Sequence, residues 1–244
     1  MIIGKNISKM FRIPSERRNT LFEALMAFVK GRRRYDEFWA LKNVSFEVKE
    51  GEIFGITGPN GSGKTTLLEI IADIIYQDEG ELIVNGRITP ILALGVGFNP
   101  ELTARENVFL YGALMGVKRG RMEDKYRAIF EFAELKRFEN MKLKNFSSGM
   151  NARLAFSTAI ATEPDILLLD EVLAVGDIEF QRKCMDEINN INKNGTTIVF
   201  VSHSVEAVRD LCERAMFLDN GKVIAIGAAE EVVDTYLQFV EKLK

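Results

Sequence analysis

Residues Ile53-Phe54-Gly55-Ile56-Thr57-Gly58-Pro59-Asn60-Gly61-Ser62-Gly63-Lys64-Thr65-Thr66 set the terms on which the rest of the chain is read. A short apolar run of buried-strand character enters a glycine-rich turn, and a helical pattern follows over residues 66–75. The turn matches G-x-x-x-x-G-K-S/T in the strand-then-helix setting that gives this motif its meaning. Glycines let consecutive backbone N–H groups face inward and cradle phosphate oxygens. The N-terminus of the following helix adds the positive end of a dipole. Gly58, Pro59, Asn60, Gly61, Ser62 and Gly63 are expected to form the cradle, with Thr66 at its edge. Lys64 would bring a full charge to the β- and γ-phosphates of a nucleotide, and the Thr65 hydroxyl would bind Mg²⁺.

Working outward, Ile166-Leu167-Leu168-Leu169-Asp170-Glu171 is an apolar strand ending in two carboxylates. Alone, that ending reads as a solvated strand end. Downstream of a phosphate-binding loop it has the form of a Walker B strand. Asp170 is then placed to reach the Mg²⁺ held by Thr65. Glu171 is placed to polarise a water beside the γ-phosphate, as general base or positioning group.

Composition bounds the rest. The chain has 244 residues, 47% apolar and 27% charged, with a net charge of −3. That is ordinary for a globular domain with an ample core, and gives no electrostatic case for binding nucleic acid. Cys184 and Cys212 lie far apart without metal-type spacing, the usage of reduced thiols. The N-terminal apolar stretch is too short for a secretory signal, and no apolar run nears the ~20 residues of a membrane helix. A membrane role would therefore come through a partner or a surface element. Strands are expected at residues 2–7, 41–48, 53–57, 81–84, 90–94, 166–170 and 196–202, with a hairpin at Asp219-Asn220-Gly221. Helices are expected at residues 66–75, through 103–135, and from about 151, 178 and 230. Strands alternating with helices imply an α/β fold with a mostly parallel sheet.

A phosphate-binding loop admits kinases, GTPases and many ATPases. What narrows the choice is Phe146-Ser147-Ser148-Gly149-Met150, which opens a helix upstream of Asp170. Small residues at a helix start can offer hydroxyl, N–H and dipole to an anion, or simply cap the helix. Here the chain resembles the ABC ATPase family, whose signature at this place is Leu-Ser-Gly-Gly-Gln. Ser147 and Gly149 match that pattern, while Phe146, Ser148 and Met150 depart from it. The resemblance implies a P-loop nucleotide-binding domain over residues 1–244: a RecA-like sheet, an antiparallel β part and a helical subdomain over roughly 97–160. It implies ATP and Mg²⁺ as cofactors. It implies a head-to-tail homodimer in which Ser147, Ser148 and Gly149 meet the γ-phosphate bound by the other subunit. His203, the only histidine, falls where the family contacts the γ-phosphate and orients the attacking water. Asp177 resembles the D-loop aspartate linking the two sites. Phe11 falls where the family stacks an aromatic on adenine, with Phe38 and Trp39 as competitors. The family's Q-loop glutamine is absent from the window Leu94-Gly95-Val96-Gly97-Phe98.

The departures look like one branch: Ser-Ser-Gly-Met, Asp-Glu-Val-Leu-Ala-Val-Gly-Asp, and Gly-Phe-Asn-Pro-Glu-Leu-Thr-Ala-Arg-Glu-Asn at 97–107. That branch is the ATPase subunit of polysaccharide exporters for O-antigen, teichoic acid and capsule. By resemblance, the partners are integral-membrane permease subunits, the cargo is a polyprenyl-pyrophosphate-linked glycan, and the location is the cytoplasmic face of the inner membrane. An ABC transporter for other cargo, and a soluble ABC ATPase acting on ribosome or nucleic acid, stay as alternatives. The latter usually fuse two ATPase domains or insert coiled coils, and no sustained heptads occur here. A further feature is an insertion at roughly 12–38, where Thr20 and Glu23 form a capping box ahead of an apolar run. Over residues 12–34, seven Arg and Lys face two Glu. An apolar helix in a basic frame suits a membrane interface or an anionic lipid pyrophosphate; a helix packed on its own domain is the plainer reading.

Overall fold

The computed structural model describes residues 1–14, 35–92, 95–170 and 177–242. In chain order the elements begin β1 (Ile2–Pro14), β2 (Tyr35–Val48), β3 (Ile53–Thr57), α1 (Lys64–Ile71), β4 (Glu79–Val84) and β5 (Ile88–Ile91). Then come α2 (Ala104–Leu114), α3 (Arg119–Phe132), α4 (Ser148–Ile160), β6 (Ile166–Asp170) and α5 (Ile178–Lys193). β7 (Thr197–Val201), α6 (Val205–Leu211), β8 (Arg214–Asp219), β9 (Lys222–Ala228) and α7 (Ala229–Lys242) complete the described chain.

One sheet has the order β5-β6-β7-β3-β8-β9. Its neighbours are parallel from β5 to β8, and only β8–β9 is antiparallel. A second sheet, β2-β1-β4, is antiparallel. The near-continuous apolar runs of the parallel strands follow from burial on both faces. Leu167 and Leu169 of β6 pack with Ile198 and Phe200 of β7 and Phe217 of β8 in one cluster. The alternating residues Ile166, Leu168, Val199, Val201, Met216 and Leu218 face the opposite cluster, against α1 and the antiparallel sheet. A third cluster belongs to the helical part, with Val108, Met122, Phe130, Leu143, Phe146 and Leu154.

Several bounds differ from the sequence expectation. β1 and β2 run past residues 2–7 and 41–48, because Phe11 pairs with Phe38 and Pro14 with Tyr35. The insertion expected at 12–38 is therefore strand at both ends, and its proposed capped helix lies outside the described residues. The long helical stretch breaks between Leu114 and Arg119, where Gly116 takes a φ of 71° that other residues disfavour. α1 starts at Lys64 rather than Thr66 and stops at Ile71, followed by Asp73 at φ 60°. The strand expected at 90–94 is Ile88–Ile91. α6 has no counterpart in the sequence reading; Ser204 caps it by accepting a hydrogen bond from the Ala207 N–H.

Candidate nucleotide-binding site

The parallel strands deliver their loops to one end of the sheet, where ligands bind in open α/β folds. β3 ends at Thr57 and passes into Gly58; β6 ends at Asp170; β7 ends at Val201, two residues before His203. Register places Asp170 opposite Val201, so the histidine follows the strand beside the aspartate.

The loop is shaped by close backbone approach. Gly58 has a φ of 146°, and a Cβ there would lie 2.1 Å from the Leu218 carbonyl oxygen. Gly63 has a φ of 105°, and its Cβ would lie 2.5 Å from the Ala40 carbonyl oxygen. A Gly63→Ala protein is expected to lose nucleotide binding. It is also expected to lose about 1–3 kcal/mol of stability, a fall of roughly 2–12 °C in Tm, which calorimetry and equilibrium nucleotide titration measure separately.

Gly63 also sits at the N-cap of α1 and supplies no side-chain cap, so the first N–H groups of that helix face the loop. Lys64 is buried, and its ammonium donates to the Gly58 carbonyl at 2.8 Å and the Pro59 carbonyl at 3.0 Å. These bonds hold the side chain back along the loop rather than out in water. Ser62 is buried too, and its hydroxyl has no hydrogen-bond partner among the described residues. An orphaned buried hydroxyl inside a phosphate cradle fits an anionic ligand that would satisfy it. The Thr65 hydroxyl donates to Asp170 Oδ2 at 3.2 Å across 105 residues of sequence. A hydroxyl and a carboxylate so placed form an all-oxygen donor pair, the chemistry Mg²⁺ prefers.

A cleft of about 550 Å³ opens beside these groups, lined by Phe38, Asn60, Gly61, Gly63 to Thr66, Leu92 and Asp170. The larger groove of about 760 Å³ lies elsewhere, around Glu50, Asp165 and Gly195, and touches none of the loop residues. The phosphate-loop residues and Asp170 meet at the smaller cleft. Phe38, not Phe11, lines it. Phe11 is the cross-strand neighbour of Phe38, with the Lys9 ammonium 5.7 Å above its ring. Of the three aromatics weighed for stacking, Phe38 is the one that lines the cleft. Trp39 is half-buried opposite Met10.

Ser147, Ser148, Gly149 and Asp177 do not line this cleft. Ser147 caps α4, accepting from the Met150 N–H at 3.2 Å, and Ser148 is exposed beside it. Neither they nor Gly149 line the cleft of their own chain. Asp177 caps α5 by accepting from the Phe180 N–H at 2.9 Å, and its other oxygen takes an ion pair from Arg153. Its carboxyl is held below the ordinary value first by that backbone hydrogen bond. Glu171 lies outside the described residues. So does Leu94; the rest of the glutamine-less window ends in Phe98, packed edge-on against Tyr111 at 5.8 Å. Two groups received no role in the sequence reading. Asn107 is fully buried and ties the turn before α2, accepting from the Asn99 N–H and donating to the carbonyls of Asn99, Leu102 and Thr103. Arg153 is the second. No spacing rule marks either, since each is defined by its partners.

Comparison with known proteins bears directly on this geometry. The family model described as "ABC transporter" matches residues 41–174. ABC transporter protein AbcA of Aeromonas salmonicida is 45% identical over 199 residues, covering 82% of this chain and 65% of that protein. The teichoic acids export ATP-binding protein TagH of Listeria monocytogenes is 40% identical, with 98% of this chain and 72% of that protein covered. The O-antigen export system ATP-binding protein RfbB of Klebsiella pneumoniae is 41% identical, with 97% and 95% covered. Among solved structures, the cassette MJ0796 in a dimeric post-hydrolysis state bound to ADP and Pi superposes with a TM-score of 0.75. It is 28% identical, with 94% of this chain and 99% of that chain covered.

Proposed function

This chain belongs to the ABC transporter family, and we propose that it is the ATP-hydrolysing subunit of a polysaccharide exporter. The observation that carries the ATPase reading is the Thr65–Asp170 contact, 3.2 Å long, beside a glycine-shaped loop containing a buried lysine. Support for the cargo comes from the relatives: RfbB and TagH bear names of O-antigen and teichoic acid export, at about 40% identity over nearly the whole chain. A polyprenyl-pyrophosphate-linked glycan is the proposed substrate of transport, and a permease the membrane partner. No helix of the described residues is long and apolar enough to cross a membrane, which fits a peripheral subunit on the cytoplasmic face.

In this reading residues 1–244 form a single nucleotide-binding domain, with a helical part near 97–160 and the insertion near 12–38. Gly58 to Gly63 cradle the phosphates of ATP, Lys64 neutralises them, and Phe38 faces the base. Thr65 and Asp170 would hold Mg²⁺, whose charge screens the phosphate oxygens. Two copies pair head to tail, so that Ser147–Gly149 of one approach the nucleotide on the loop of the other. Only ATP presents a γ-phosphate to that second surface, and differential affinity for the closed pair follows. Glu171 then activates water, His203 orients it, and hydrolysis reopens the pair.

The test is a mild-detergent capture of tagged Glu171→Gln protein from its native membranes with ATP, followed by mass spectrometry of bound proteins and lipids. A small permease with a polyprenyl-pyrophosphate glycan is the expected result. A permease with other cargo would discard the polysaccharide assignment while keeping the transporter. Ribosomal or nucleic-acid material without a membrane partner would overturn both.

A further inference from the structure

Arg153 lies on α4, six residues beyond Ser147, which an α-helix converts to roughly 9 Å along its axis. Its side chain is only 17% exposed, low for an arginine on a helical surface. One arm of the guanidinium meets Glu134 Oε2 at 2.6 Å, and the other meets Asp177 Oδ2 at 2.5 Å. Its flat face lies 4.6 Å from the centre of the Phe180 ring. Three elements are therefore tied by one group: α4 itself, the turn after α3 through Glu134, and the N-cap of α5 through Asp177.

The partners are committed to this arrangement. Glu134 takes a φ of 61°, a conformation disfavoured for a residue with a long side chain. A turn of that shape is ordinarily left to glycine or asparagine; here it carries the glutamate that meets Arg153. Arg153, by its hydrogen bond, holds the Glu134 carboxyl below its ordinary value. Lys183 on α5 reinforces the same carboxylate at 3.4 Å while donating to the Phe132 carbonyl at 2.8 Å. Asp177 lies seven positions beyond Asp170, on the stretch leading away from the Walker B strand. A rigid planar fork meets the two carboxylates with separate arms, whereas an ammonium offers its donors from a single point.

We infer that Arg153 is a positioning residue, locking the signature helix to the segment that follows the Walker B strand so that Ser147–Gly149 are presented at the right angle to a nucleotide held by a second copy. This rests on the head-to-tail dimer proposed above. Rotation of α4 against α5 breaks the Asp177 arm of the fork, and rotation against the turn after α3 breaks the Glu134 arm, so the latch sets the angle of a surface that works in the neighbouring subunit's site.

The test uses dimers assembled from two differently tagged full-length copies. One copy carries Lys64→Ala, so the single live site combines the other copy's loop with this copy's signature. Adding Arg153→Gln to the Lys64→Ala copy is expected to lower kcat about 10- to 100-fold, with KM for ATP changed less than about 3-fold. Moving Arg153→Gln to the other copy, whose signature faces the dead site, is expected to leave kcat within about 2-fold. A general packing defect would lower both arrangements alike, and that result, or loss only in the second, overturns the latch. Arg153→Lys is expected to behave like Arg153→Gln; full rescue by lysine would also overturn it. Glu134→Gln keeps the size of the side chain but removes the charge that one arm of the fork grips, and should reproduce the same arrangement-dependence if Arg153→Gln folds poorly. Ser147→Ala in the Lys64→Ala copy reports on the dimer itself. If that change leaves the live site at full rate, the signature does not act across the dimer, and the failure lies with the functional reading.

Discussion

A Glu171→Gln protein is expected to bind ATP as tightly as its parent and to turn it over about 10²- to 10⁴-fold more slowly, the usual scale for losing a positioned base. Glutamine keeps the size of the side chain and removes the basic oxygen. The assignment comes from sequence order: Glu171 follows Asp170, whose carboxylate contacts Thr65 of the phosphate loop at 3.2 Å. In the sequence reading, the residue after that strand end is the group placed to polarise a water beside the γ-phosphate. Equilibrium binding of a fluorescent ATP analogue and a single-turnover hydrolysis assay separate the two effects. The slow variant should also accumulate as an ATP-bound dimer, visible by light scattering, because in the proposed cycle reopening follows hydrolysis. A variant that hydrolysed ATP at the parent rate would remove the role from Glu171.

Lys64→Ala is expected to fail one step earlier, at binding. The lysine is buried and held by the Gly58 and Pro59 carbonyls, so its position is set before a nucleotide arrives. Removing it takes away a charge-assisted hydrogen bond to phosphate, about 1.5–3 kcal/mol, or a loss of roughly 10- to 100-fold in affinity. Isothermal titration with ATP measures it. The loss should be larger for ATP than for AMP, which lacks the β- and γ-phosphates. An equal loss for both would mean that the loop had collapsed rather than lost a charge, and a Tm well below the parent's would show the same. Together the two variants place binding in Lys64 and turnover in Glu171, and an ATPase in which both merely bind would contradict the reading.

Much of this protein was legible along the chain. The phosphate loop, the strand Ile166–Asp170 and the strand Ile53–Thr57 stand in the structure where their residue patterns put them. Each is a continuous segment whose residue types answer a local demand: glycines where a Cβ would strike a carbonyl, apolar residues on both faces of a buried strand, a carboxylate at its end. The small residues at Ser147–Gly149 announce a helix start for the same reason, since capping is decided within three residues. Elements whose ends depend on a distant partner were misjudged. β1 and β2 continue to Pro14 and back from Tyr35 because each pairs with the other, not because residues 8–14 read as strand.

What sequence alone determined is therefore the family and the order of the candidate groups along the chain: cradle, lysine, hydroxyl, carboxylates, histidine. Only the tertiary structure decided which of these groups meet. Thr65 reaches Asp170 because β3 and β6 flank β7 in one parallel sheet. Phe38 lines the cleft and its cross-strand partner Phe11 does not, a distinction set by how the β1–β2 ribbon sits against the phosphate loop. Arg153 spans Glu134 and Asp177 because three helical segments converge there. Contacts of this kind depend on strand register and helix packing, quantities fixed by the whole core, and a one-dimensional pattern carries no record of them.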